Sequence, residues 1–274
     1  MELAPVVVGV YGSEASRGAV HWAVDEAAKT GRALRIVHAL GPPRAFGWPE
    51  DGASRLTDEA AELARGWQPE VPIETAMFIG SAGPVLVAQS AGAAMVVVAS
   101  RGLGAIAGVV LGSVGSYLST RATCPVLVVH HAERWTGPET VLPHAGPVVL
   151  GVEPTVAGRA TWEAAFAQAA ARRTKLLAVR AVPEVIGDPL IERQTRASLS
   201  DLTLWRTKYP EVTAELSIRR GDAPAVLRNA ARDASLLVLG GSAESHRLTS
   251  VLQQVLRGAF CAVLVVKDNG HARE

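Results

Sequence analysis

This chain has little of what would commit it to an obvious chemistry. Its charges nearly cancel, 27 Lys and Arg against 26 Asp and Glu for a formal net charge of +1, with no long run of one sign. A bulk partner such as nucleic acid or an anionic membrane is therefore not favoured, and binding has to come from a local site. There are two cysteines, Cys124 and Cys261. Each stands just before an apolar strand-like run, as a small buried thiol would, so neither a disulfide framework nor a metal site is suggested. No apolar run approaches membrane-spanning length, and Met1-Glu2-Leu3-Ala4-Pro5 lacks the basic segment and apolar core of a signal peptide, so a cytoplasmic protein is expected. The local signatures of a serine hydrolase (GxSxG) and of a P-loop ATPase (GxxxxGK[ST]) are missing. Glu153, Asp222 and Asp233 are scattered, so no acid/base couple can be named. His130 and His131, adjacent at a strand end, point to opposite faces and read as a solvated linker start rather than a metal pair. Arg172-Arg173 reads as a solvated pair at a helix end, and Trp22 and Trp162 as packing residues.

What is there is an alternation, repeated. Half of the 274 residues are apolar, enough for two ordinary cores. Pro5 to Val10 is an unbroken β-branched run, as in a parallel strand covered on both faces. An Ala-rich helix to about Lys29 follows, with Ala15, Ala19, Trp22, Ala23 and Ala27 on one face. Then come a strand at 33–40, a Gly/Pro-rich loop at 41–49, a helix at 51–65, a strand at 73–79, a short helix at 84–91 and a strand at 95–100. A glycine-rich loop, a helix at 112–121 and a strand at 126–130 complete five strands. The order then restarts: Pro147-Val148-Val149-Leu150-Gly151-Val152 repeats the opening run, Lys175 to Val182 the second strand, Leu236 to Gly240 the fourth and Ala262 to Val266 the fifth. Alternating elements of this length predict βαβ units in a doubly wound parallel sheet. A single duplication gives domains at 1–131 and 147–274, with 132–146 as linker.

The informative stretch is Val96 to Val114, an apolar strand running into Gly102-Leu103-Gly104 and on to Gly112-Ser113-Val114 at a helix start. Backbone N–H groups can converge on an anion in such an arrangement, so phosphate is the first ligand to test. The segment 102–107 also fits the dinucleotide pattern GxGxxA, but it follows the fourth strand rather than the first, which argues against that reading. A loop that needs glycine only for its turns is the plainer alternative.

These residues resemble the universal stress protein family in its tandem, two-domain form, across nearly the whole chain. The resemblance implies two flavodoxin/Rossmann-like sheets of strand order 3-2-1-4-5, related by a pseudo-twofold axis. It also implies ATP binding through Gly, two residues, Gly, nine residues, Gly, then Ser or Thr. The first copy supplies Ala99, Gly102, Gly112 and Ser113; fixed spacing gives Gly240, Ala243, Gln253 and Gln254 in the second. The acidic residue that usually ends the family's first strand is Tyr11 in copy one and Glu153 in copy two, and Ala39 stands where the family has a Val near adenine.

In that strand order a ligand lies beyond Val10 and Ser100, against the Gly112 helix start. The expected contacts are Gly9, Val10, Tyr11, Ala39, Ala99, Gly102, Gly112, Ser113 and Val114, with ATP, carrying Mg if bound, in the first domain only. Tyr11 and Ala99 are expected to weaken the ribose end. In the second copy the two long glutamines are expected to cover the phosphate position, and the helix after them to be four residues shorter. The last strands of the two domains are expected to pair, with a further homodimer in view. The expected role is regulatory nucleotide binding in a stress response, with at most slow hydrolysis, and the rival is a nucleotide-free scaffold that engages a partner protein.

Overall fold

The computed structural model describes residues 3–41, 50–100, 112–132, 136, 146–153, 158–184, 188–242 and 249–268. The chain divides into two compact units, 1–142 and 143–274. In the first, β1 (Val6–Val10), β2 (Leu34–Ala39), β3 (Ile73–Phe78), β4 (Met95–Ala99) and β5 (Val126–Val129) alternate with α1 (Glu14–Thr30), α2 (Glu50–Trp67), α3 (Ala82–Ser90) and α4 (Ser113–Arg121). All pairings are parallel, in the order β3-β2-β1-β4-β5. In the second, β6 (Val148–Gly151), β7 (Leu176–Val182), β8 (Ala214–Arg220), β9 (Leu236–Ser242) and β10 (Ala262–Asp268) alternate with α5 (Arg159–Ala171), α6 (Pro189–Lys208), α7 (Ala223–Ala230) and α8 (Ser250–Gly258). The pairings are again parallel and repeat the order as β8-β7-β6-β9-β10.

The central strands bury both faces. Val6, Val7, Val8, Val96, Val97, Leu236 and Leu237 are essentially inaccessible, and each such side chain contributes about 1.5–3 kcal/mol relative to exposure. Thr57, Ala60, Ala61 and Ala64 are buried positions of α2 and lie on one helical stripe. Helix α1 starts at Ser13, whose side chain accepts from Ser16 N, and stops at Gly31, which takes φ 62° so that Arg32 N can reach Ala27 O at 3.0 Å. In the second unit Arg173 occupies the matching stop at φ 50° and Thr174 N reaches Ala169 O, the same closure made with a side chain that disfavours it.

Two readings from sequence change here. His130 is buried, its Nδ1 3.3 Å from Val128 O, and the next-but-one residue, Ala132, is core. The chain stays packed after β5 because Gly18 offers bare backbone: a Cβ there would lie 1.7 Å from Ala132 O. Arg172 is also buried and folds back on Gln168 Oε1, so only Arg173 of that pair is solvated. Cys124 and Cys261 are buried and form no disulfide among the described residues, and Trp22 and Trp162 are core residues. No helix among the described residues is long and apolar enough to cross a membrane, and no metal-holding cluster of His, Cys, Asp or Glu occurs among them.

Candidate functional site

In the first unit β1 and β4 are paired only through Val6–Met95, Val7–Val96 and Val8–Val97. Beyond Val8 the strands part, while β1 stays in register with β2 through Gly9–Val37 and Val10–His38. A crevice therefore opens at the carboxyl end of the sheet between β1 and β4, the switch point of a doubly wound sheet. At Gly9 a Cβ would come within 2.7 Å of Leu86 Cδ1, so a side chain there would require Leu86 to shift.

The far wall is the start of α4. Ser100 N donates to Val129 O at 2.9 Å, holding the end of β4, and Ser100 O accepts from Gly112 N at 2.7 Å. Gly112 is thereby tied to the strand end, and a Cβ on it would sit 3.2 Å from Ser100 O. As N-cap, Gly112 has no side chain to occupy the first-turn amides. Among the described residues the N–H groups of Ser113 and Val114 thus remain as donors at the positive end of the helix dipole, and the Ser113 hydroxyl is exposed beside them. Ala99 and Val114 are half-buried at this wall. Ala39, at the end of β2, is in register with Phe78 and half-buried. Gly102 lies outside the described residues.

Tyr11 closes the opposite side. The residue is 54% exposed, and its ring is tilted 44° to that of His38, with centroids 6.3 Å apart. Sequence reasoning missed His38. It is buried, with Nδ1 2.9 Å from Val10 O. A carbonyl only accepts, so Nδ1 must be the protonated nitrogen, which leaves Nε2 as an acceptor when the ring is neutral. Ser16 was missed too: its Oγ accepts from Tyr11 N at 3.0 Å and fixes the turn after β1. Ser13 is recognisable in sequence as an N-cap, but no sequence signal marks the bond from Tyr11 N to Ser16 Oγ, three residues past that cap.

The second unit differs in a way the repeat spacing misjudged. Helices α4 and α8 have the same length, nine residues, and each starts the same distance before its cysteine, so Thr249 and Ser250 match Gly112 and Ser113. The shortening lies in the loop: nine positions separate Gly240 from Thr249, against thirteen from Ala99 to Gly112. Counting a fixed nine residues overshoots into α8, where Gln253 and Gln254 lie on the exposed face, away from the helix start. What occupies that start is Thr249, whose side chain accepts from Leu252 N at 3.2 Å. Ala243 lies outside the described residues. Glu153 stands at the end of β6 with its Oε1 3.2 Å, and Thr161 Oγ1 3.3 Å, from the place a Cβ on Gly240 would take. Desolvation raises the pKa of this carboxyl above its ordinary value, although the residue as a whole keeps solvent contact.

The family model described as "Universal stress protein family" matches residues 3–130 and 145–267. The chain is 32% identical over 271 residues to Universal stress protein Rv3134c of Mycobacterium tuberculosis, covering 96% of each chain. It is 29% identical over 293 residues to Universal stress protein Rv2005c of the same organism, covering 96% of this chain and 97% of that one. A universal stress protein structure from Archaeoglobus fulgidus superposes with a TM-score of 0.66 at 16% identity, covering 98% of this chain and 100% of that one. Universal stress proteins solved with cAMP and with dAMP align with 47% of this chain, and those ligands belong to those proteins. With the family matched in both halves and the same five-stranded order in each unit, this chain belongs to the universal stress protein family.

Proposed function

We propose that the first unit holds the phosphate of an adenine nucleotide, ATP being the leading candidate, and that the chain serves as a cytoplasmic regulatory nucleotide-binding protein of a stress response. The observation that carries this reading is the start of α4: side-chain-free amides at Gly112, anchored to Ser100 O, beside the gap where β1 and β4 part. Tyr11 Oη and His38 Nε2 then offer neutral partners to the ribose in place of a carboxylate. Two neutral acceptors bind a diol less firmly than one carboxylate does, so affinity should be modest and should depend on the phosphate. Mg2+ would arrive with the nucleotide. No base positioned to activate water is identified among the described residues, so turnover is not part of the proposal. Calorimetric titration of ATP, ADP, cAMP and adenosine into the wild type and Gly112→Trp tests it. Heat is expected with the phosphate-bearing ligands in the wild type only; its absence from all titrations, with the protein folded, would end the nucleotide reading.

The exposed Tyr11 ring favours a second reading, a nucleotide-free scaffold for a partner protein. Mass spectrometry of gently purified protein separates the two, since a co-purified nucleotide supports the first and its absence at full occupancy of folded protein supports the second.

A further inference from the structure

The two units also differ where their third and fourth helices end. In the first unit Ser90 Oγ accepts from Thr123 N at 3.0 Å and lies 3.2 Å from Thr123 Oγ1, so the end of α3 is tied to the turn after α4 by neutral hydrogen bonds. The matching positions in the second unit are Ala231 and Phe260. Phe260 is 51% exposed, and the Arg232 guanidinium lies over its ring, 4.9 Å from the centroid. Beside it the Arg228 Nη1 lies 2.8 Å from where a Cβ on Gly258 would be, so this guanidinium rests on bare backbone at the end of α8. Arg257 occupies the same last turn, exposed. Their counterparts in the first unit are Ala91, Val87 and Thr120, none of them charged.

None of these three arginines makes an ion pair among the described residues. The nearest acid in sequence, Asp233, is exposed and unpaired with them, and Asp222 is engaged at the other end of α7, accepting from Ala225 N. Helix dipoles favour Arg228 and Arg257 where they stand, each in a last turn. They give no reason for an exposed phenyl ring under a third guanidinium. A guanidinium stacked on an aromatic face keeps its in-plane N–H groups free to grip a carboxylate in bidentate fashion. Arginine and aromatic side chains are also what carry binding energy at protein interfaces.

We propose that the α7–α8 end of the second unit is a docking surface for an acidic segment of a partner protein, with carboxylates on Arg228, Arg232 and Arg257 and an apolar side chain against Phe260. A nucleic acid fits less well, because the ring face a base would stack on already carries Arg232 and the chain as a whole is almost uncharged. This surface is independent of the nucleotide crevice in the first unit.

The test is fluorescence anisotropy of a labelled peptide of about twelve residues, rich in Glu and Asp with one central Leu, added to the full chain. Saturable binding that weakens with salt is expected. Arg232→Glu and Phe260→Ser should each weaken it by about tenfold or more with circular dichroism unchanged, whereas Arg65→Glu, an exposed arginine of the first unit, should leave it as in the wild type. Any of three results would overturn the proposal: no binding to the wild type, equal loss in Arg65→Glu, or tighter binding of a single-stranded oligonucleotide of equal charge. Sedimentation showing wild-type self-association that Arg232→Glu abolishes would overturn it in favour of a second copy of the chain.

Discussion

Helices α4 and α8 begin at matching points of two sheets of the same order, yet one begins with glycine and the other with threonine. At Gly112 no side chain among the described residues caps the first-turn amides; at Thr249 the chain's own hydroxyl takes one of them. The loop leading to Thr249 is also the shorter one. The second unit therefore caps its helix start with its own side chain, while among the described residues no side chain caps the start of the first unit's helix. A residue that weakens a helix on its own can be the one that makes a site.

That contrast can be sharpened with paired substitutions. The largest effect is expected at Gly18, where Ala would drive a methyl group into Ala132 O. Loss of about 3 kcal/mol is expected, with faster hydrogen exchange in α1 and none in α5; an unchanged urea midpoint would contradict the packing described. The two left-handed stops should respond with opposite signs. Gly31→Ala, with open space around its Cβ, should cost about 1 kcal/mol through backbone strain alone, and Arg173→Gly should stabilise by about the same amount. Thr249→Ala should cost about 1 kcal/mol in the second unit, read from denaturant melts, and leave ligand binding in the first unit untouched.

Smaller effects follow from two acids of the second unit whose ionisation is opposed by desolvation, the buried Cys261 and the partly desolvated Glu153. Burial pushes the Cys261 thiol from 9.0 up to about 12. The native state holds that proton while the unfolded chain releases it, so the contribution to stability is full below pH 9 and is lost as pH rises toward 12. Cys261 should accordingly resist disulfide reagents near pH 8 until the protein unfolds. Glu153 is raised from 4.5 by desolvation, so its ionisation in the native state works against folding at neutral pH. Glu153→Gln should gain stability over the wild type at pH 7, and the gain should fade as pH falls below about 4.5, where both states are protonated.

Much of this fold is legible in the sequence because a parallel strand buried on both faces needs an unbroken apolar run, and Val6 to Val10, Met95 to Ala99 and Leu236 to Leu239 each show one. The repeat then locates the units. What the repeat could not locate was the start of α8: spacing counted along a loop assumes equal loops, and only the helix length with its following Cys261 shows where the deletion lies. His38 escaped for another reason. A lone histidine inside an apolar strand gives no sign of a crevice until Val10 O is seen to fix its tautomer and Tyr11 to flank it. The close packing after β5, Ala132 against Gly18, is a tertiary contact that local polarity does not encode, and Arg172 is buried with its guanidinium on Gln168, four residues back at the end of the same helix.

The most direct measurement is the number of ATP molecules bound per chain at saturation, by equilibrium dialysis of labelled ATP against the wild type, Gly112→Trp and Thr249→Ala. One per chain is expected for the wild type and for Thr249→Ala, and none for Gly112→Trp with its fold intact. Two per chain, or one that survives in Gly112→Trp, would contradict the assignment of the site to the uncapped start of α4.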